Sequence, residues 1–134
     1  PDARTAFLFT RVGLSGADMG ACAILPRIIG HGRAAELLFT GRSMSAEEGV
    51  AWGFFSRICD TVQADAKALA ESLANGPSRA HSVTKRQLDA EWAEPIDIAI
   101  DMEAEAQAEL MTGNDFKRAF DAFAGKRRPE FRGD

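Results

Sequence analysis

The chain has 134 residues, with 16 Lys and Arg against 20 Asp and Glu and a formal net charge of −4. That length suits one domain, and the mildly acidic balance leaves no electrostatic footprint for nucleic acid or an anionic membrane surface. No apolar stretch approaches the ~20 residues of a bilayer span or reads as a signal peptide, and the isolated Cys22 and Cys59 offer neither a disulfide framework nor a zinc site, which points to a reducing, cytoplasmic setting with no bound metal.

Residues 6–12, rich in Phe and apolar side chains ahead of Gly13, Gly16 and Gly20, read as a short buried strand entering a glycine turn. From Asp18 the apolar residues fall mostly at helical spacing as far as Gly30, and Pro26 is expected to kink or break that helix. Asp18 is the one carboxylate of this run, and it admits two readings. Ser15 and Asp18 have the S-x-x-D spacing of a capping box, which makes Asp18 a helix-start residue. Alternatively, the glycines leave room for a ligand against the backbone, and a carboxylate facing that space can move a proton or attack a carbon.

His31 is expected in the turn between Gly30 and Gly32, ahead of a short amphipathic helix that stops at Thr40-Gly41. Ser45-Ala-Glu-Glu48 is a capping box for a helix carrying Val50, Ala51 and Trp52 inward, with Gly53 as its end and residues 54–58 as the last strand. Beyond Asp60 the pattern is helical. Val62, Ala66, Leu69, Ala70 and Leu73 form one stripe, stopped at Asn75-Gly76-Pro77. A polar helix over 78–92 relies on Val83 and Leu88, and after Pro95 the helix over 96–111 turns Ile96, Ala99, Ile100 and Leu110 toward a core. In the final helix Phe116, Ala119, Phe120 and Phe123 make an aromatic seam that needs another surface to cover it. Lys117, Arg118, Lys126, Arg127, Arg128 and Arg132 form the one basic patch.

Gly13-Leu-Ser-Gly-Ala-Asp-Met-Gly20, followed by the run from Leu25 to Ile58, resembles the second half of an enoyl-CoA hydratase/isomerase of the crotonase superfamily. The most specific piece is G-x-x-x-A-x-E-[LM]-x-x-T-G, continued by S-A-x-E and a closing glycine, between Gly30 and Phe54. Phe123-Ala-Gly-Lys-Arg-Arg-Pro-Glu-Phe131 is similar to the family's F-x-x-K-R-x-P-x-F terminus. The resemblance implies a mixed, helix-rich α/β fold. Residues 1–60 would be the C-terminal part of a β-β-α spiral core, and residues 61–134 a helical region for oligomerisation and coenzyme A contact. A whole subunit of the family is about twice as long, so its N-terminal half, with both amides of the oxyanion hole, is expected outside this chain.

The chemistry implied is polarisation of a thioester carbonyl by two backbone N–H groups, which stabilises an enolate. A hydratase adds two glutamates, and the one that aligns with Thr10 is absent here. Asp18 instead falls where isomerases of the family place an acid, and where a dehalogenating relative places its nucleophile. The resemblance therefore makes Asp18 the general acid or base, has Thr10 line the site and sets Leu14 beside the acyl group. Phe123 and Lys126 would reach a neighbouring subunit's coenzyme A, the lysine as a point charge for phosphate. No separate cofactor is implied, coenzyme A being part of the substrate. The partners implied are an acyl-CoA thioester, further copies in a trimer or hexamer, and the N-terminal segment. A different class of function is a non-catalytic helical assembly module, inactive without that segment.

Overall fold

Strand β1 (Arg4–Ala6) pairs antiparallel with β2 (Ser43–Ser45), in the register Arg4 with Ser45, Thr5 with Met44 and Ala6 with Ser43. In this computed structural model, which describes residues 1–134, the pair belongs to the first of two compact units, Pro1–Val62 and Gln63–Asp134. The strand expected over 6–12 is thus displaced: Phe9–Val12 form a 3-10 turn that closes on Gly13 at φ 79°. The Thr10 hydroxyl donates to the carbonyls of Leu38 and Phe39, each at 3.1 Å, and this long-range tie favours the turn over an extended chain.

Helices α1 (Ala21–Ile29) and α2 (His31–Thr40) meet at Gly30, whose φ of 86° turns the chain sharply between them. His31 is the first residue of α2, not a turn residue. Pro26 lies inside α1 without ending it, because its missing N–H forfeits only one bond in a helix that stops a few residues later. Leu25 and Ile29 of α1 pack with Ala34, Leu37 and Leu38 of α2 and with Met44 of β2 to form the core. Each buried leucine or isoleucine there stabilises the unit by about 1.5–3 kcal/mol.

Helix α3 (Ala46–Ala51) begins with the expected capping box: Ser45 Oγ accepts from the Glu48 N–H at 3.2 Å, and Glu48 Oε2 accepts from the Ser45 N–H at 2.9 Å. Its buried residues are Ala46 and Gly49, while Ala51 is exposed, contrary to expectation. Gly49 is buried by Phe55, whose ring lies where a side chain on Gly49 would be, 2.3 Å from an added Cβ. The helix ends through bonds from the Gly53 N–H to the Val50 carbonyl (3.1 Å) and from the Phe54 N–H to the Gly49 carbonyl (2.8 Å), with Gly53 at φ 78°. That turn takes the place of the strand expected over 54–58, and the Phe54 and Phe55 rings meet edge to face at 5.0 Å. Trp52 lies beneath two guanidinium groups, Arg33 at 5.2 Å and Arg42 at 5.4 Å. Arg42 also pairs with Glu36 and Glu48, and its hydrogen bond holds the Glu48 carboxyl below the usual glutamate range.

The second unit is helical: α4 (Val62–Ala74, starting at the boundary), α5 (Ser78–Ala90) with a 3-10 turn over Glu91–Ala93, α6 (Ile96–Met111) and α7 (Asn114–Ala124). Val83 and Ala122 are its buried hydrophobic residues. The stripe expected to bury one face of α4 is exposed along its length, and Leu88, Ile96 and Ile100 are exposed as well. Ala99 and Leu110 are half-buried. The amphipathic patterns are real, but within this unit the apolar sides of α4 and α6 remain largely at the surface.

Candidate functional site

Asp18 stands in the loop between Gly13 and α1 and is exposed. The capping box expected with Ser15 does not form: Ser15 Oγ accepts from the Ala17 N–H at 3.1 Å, and the N-cap of α1 is Gly20, with no side-chain cap. Met19 at φ 47° and Gly20 at φ 81° are both left-handed, and this double turn separates Asp18 from the helix it would have capped. Asp18 Oδ1 accepts from the Met19 N–H at 2.9 Å, which orients the carboxylate and leaves its second oxygen uncommitted. A left-handed conformation is uncommon for a residue other than glycine, and such outliers cluster at functional sites.

Thr10 and Gly16 help line a recess of about 390 Å³, together with Cys22, Pro26, Leu38 and Phe39. Gly16 is buried there because an added Cβ would come within 3.2 Å of the Leu38 Cβ, so the glycine lets the loop lie against α2. The Thr10 hydroxyl proton is engaged by the last carbonyls of α2, leaving its oxygen as an acceptor. Asp18 and Leu14 are not among the walls of the recess, and the Leu14 side chain is exposed. Phe123 and Lys126 belong to the second unit. Phe123 is 85% exposed, and Lys126 just beyond α7 is exposed with no ion pair, at φ 50°.

Two of the six cations in the basic patch expected around Lys126 are neutralised locally. Lys117 pairs with Asp121 at 2.7 Å, and Arg118 pairs with Asp115 and Asp134. Asp115 is the polar residue that the sequence reading missed. Its carboxylate gathers the Arg118 guanidinium and the N–H groups of Arg132 and Gly133. The signal was an acid three residues ahead of an arginine in the first turn of α7, a common i,i+3 pair whose reach to the tail has no local pattern. Desolvation pushes the Asp115 carboxyl up, but these hydrogen bonds together outweigh it and hold it below the usual aspartate range.

The profile of the enoyl-CoA hydratase/isomerase family matches residues 2–134, and the chain belongs to that family. Among its relatives is the 1,2-epoxyphenylacetyl-CoA isomerase of Escherichia coli K12, 30% identical over 133 residues, which cover 98% of this chain and 50% of the relative. The trans-2-decenoyl-[acyl-carrier-protein] isomerase of Streptococcus mutans is 31% identical over 131 residues, covering 93% of this chain and 48% of its own. A solved structure of a Streptomyces coelicolor A3(2) protein assigned as an enoyl-CoA hydratase superposes with a TM-score of 0.91 at 46% identity, over 98% of this chain and 48% of that one. The chain thus spans about half the length of the relatives it matches.

Proposed function

We propose that this chain carries the acid/base residue of an acyl-CoA enzyme that hydrates or isomerises an enoyl thioester, with Asp18 moving the proton. The observation that carries the reading is the state of Asp18. In a loop where a capping role was open to it, the carboxylate caps nothing, is oriented by one bond from Met19 and keeps a free oxygen at an exposed turn. Family membership supplies the reaction class, and the names of the relatives include isomerases and hydratases alike.

In this mechanism the thioester carbonyl is held by two backbone N–H groups from a segment outside this chain, and negative charge develops on its oxygen as the enolate forms. The Asp18 carboxylate removes a proton from carbon and then returns it to another carbon. That cycle isomerises the double bond with no net change in composition. Hydration forms a different enolate: water adds its oxygen to the β-carbon as one carboxylate, contributed from elsewhere, takes its proton, and Cα is then protonated, with the same oxyanion contacts holding the charge. Thr10 lines the acyl pocket, Leu14 flanks the acyl group, and Phe123 and Lys126 meet the adenine and phosphate of coenzyme A bound to a neighbouring copy in a homo-oligomer.

The test is Asp18→Asn in the intact enzyme, assayed with trans-2-enoyl-CoA for hydration and 3-enoyl-CoA for isomerisation. Loss of a positioned acid/base group is expected to lower kcat by about 10²–10⁴-fold with assembly unchanged. Full activity on both substrates would remove Asp18 from the mechanism. The aromatic seam of α7 would then be left as the main feature of the chain, as a non-catalytic assembly module requires.

A further inference from the structure

The ends of α3 and α7 are built by the same pair of hydrogen bonds, but with different residues at the strained position. After α3, the Phe54 N–H reaches the Gly49 carbonyl at 2.8 Å and the Gly53 N–H reaches the Val50 carbonyl at 3.1 Å. After α7, the Arg127 N–H reaches the Ala122 carbonyl at 2.8 Å and the Lys126 N–H reaches the Phe123 carbonyl at 3.0 Å. Both are six-to-one and five-to-two endings, in which the residue after the cap is left-handed and is usually glycine. At α3 that residue is Gly53, with φ 78°. At α7 it is Lys126, with φ 50°, although the residue just before it is Gly125 at φ −83°. The chain has a glycine within one residue of the place that favours it and still sets a lysine there. A left-handed lysine persists only where the surroundings fix it.

What fixes it lies at the other end of the same helix. The segment beyond Lys126 returns to the first turn of α7, where Asp115 accepts from the Arg132 and Gly133 N–H groups, each at 2.8 Å, and from Arg118 Nη2 at 2.6 Å. The Asp115 side chain is only 13% exposed. Its own N–H donates to the Asp134 carbonyl at 3.1 Å, and Arg118 reaches the Asp134 carboxylate. Phe131 joins Leu110, Met111 and Phe116 in lining an apolar recess of about 260 Å³. The tail is therefore a strap tied at both ends of α7, with Lys126 at its bend, exposed and without an ion pair.

We propose that Asp115 is a positioning residue for Lys126: by clamping residues 132–133 it holds the strap, and with it the left-handed lysine, in a fixed pose for the phosphate end of the thioester substrate. The proposal rests on the assignment of Lys126 to a phosphate contact given above. Asp115 itself touches no substrate. Its contribution is preorganisation, which removes from binding the cost of ordering a free basic tail.

The test compares Asp115→Ala, Asp115→Asn and Lys126→Ala in the intact enzyme by two readouts. The first is amide hydrogen exchange at Arg132 and Gly133, which is expected to rise at least about tenfold in Asp115→Ala and by less in Asp115→Asn, which keeps one acceptor oxygen. The second compares an enoyl-CoA thioester with the matching enoyl-pantetheine thioester, which lacks the nucleotide end. For Asp115→Ala the KM of the CoA thioester is expected to rise about tenfold at unchanged kcat, while the pantetheine thioester is unaffected. Unchanged exchange overturns the clamp. Faster exchange with an unchanged KM overturns the positioning role, provided Lys126→Ala does weaken the CoA thioester. If Lys126→Ala also leaves that KM unchanged, the phosphate assignment fails and the positioning role falls with it.

Discussion

The two units of this chain keep their shape by different means. In Pro1–Val62 six residues from two helices and a strand form a buried apolar cluster, and the loops carrying Thr10 and Asp18 are set on it. In Gln63–Asp134 only Val83 and Ala122 are buried among the hydrophobic residues, while ion pairs such as Arg79–Glu109 and Arg118–Asp115 tie the helices and the tail. Apolar packing is worth kilocalories per side chain, whereas exposed ion pairs are worth about 0–1 kcal/mol each. The first unit can thus hold a turn as strained as Met19-Gly20 on a rigid base. The second holds Lys126 through one clustered polar clamp.

The contrast breaks most directly at a leucine. Leu37→Ala, at a fully buried position, is expected to cost about 2–5 kcal/mol in denaturant unfolding, and Leu88→Ala, at an exposed position of α5, less than about 0.5 kcal/mol. Equal losses would mean that the second unit packs as the first does. Gly49→Ala sharpens the account of the first unit. Its Cβ would meet the Phe55 ring at 2.3 Å, and overpacking of that kind is expected to cost about 1–3 kcal/mol. A Gly49→Ala protein as stable as the parent would show that Phe55 swings aside freely.

The smallest effect expected is on acidification, and it separates one raised carboxyl of the second unit from two lowered ones. Glu91 is pushed above the usual glutamate range, first by desolvation and then by the nearby Glu103 carboxylate. Asp115 sits below the usual aspartate range, and so does Asp134, through its hydrogen bond from Arg118. A raised acid binds its proton more tightly when folded, so as pH falls through the Glu91 value toward that of an ordinary glutamate the unit gains stability. A depressed acid does the reverse: the contribution of the Asp115 clamp is complete above the ordinary aspartate value and is lost as pH falls through it to the depressed one. Thermal unfolding followed by circular dichroism should therefore show a shallow maximum in mildly acidic solution. Asp115→Asn should flatten its acid side, and a profile unchanged by that substitution would leave the clamp without weight in stability.

Most helices could be read from the sequence because their signals are local. Gly30, Gly41, Ser45 and Pro95 all stand within one residue of a helix end, and Glu48 completes the box that Ser45 opens. The strands could not, because β1 and β2 exist only through their pairing across some forty residues of intervening chain, and neither has a pattern of its own. Residues 54–58 have a strand's composition, but the space left by Gly49 claims Phe55 first. Asp18 was visible as a carboxylate at a glycine turn, with its role resting on resemblance. That it caps nothing depends on the left-handed Met19, which spacing does not encode. The stripes of α4 and α6 show the same limit from the other side: a period marks which face is apolar and says nothing about what that face meets.

The contact of Trp52 with two guanidinium groups has a spectroscopic consequence. The chain has no tyrosine and two tryptophans, and the other, Trp92, lies half-exposed in the second unit. The tryptophan fluorescence of this chain thus comes from two indoles, one in each unit. With Trp92→Phe the emission would report the first unit alone, and with Trp52→Phe the second, so that each unit can be followed separately without an added label.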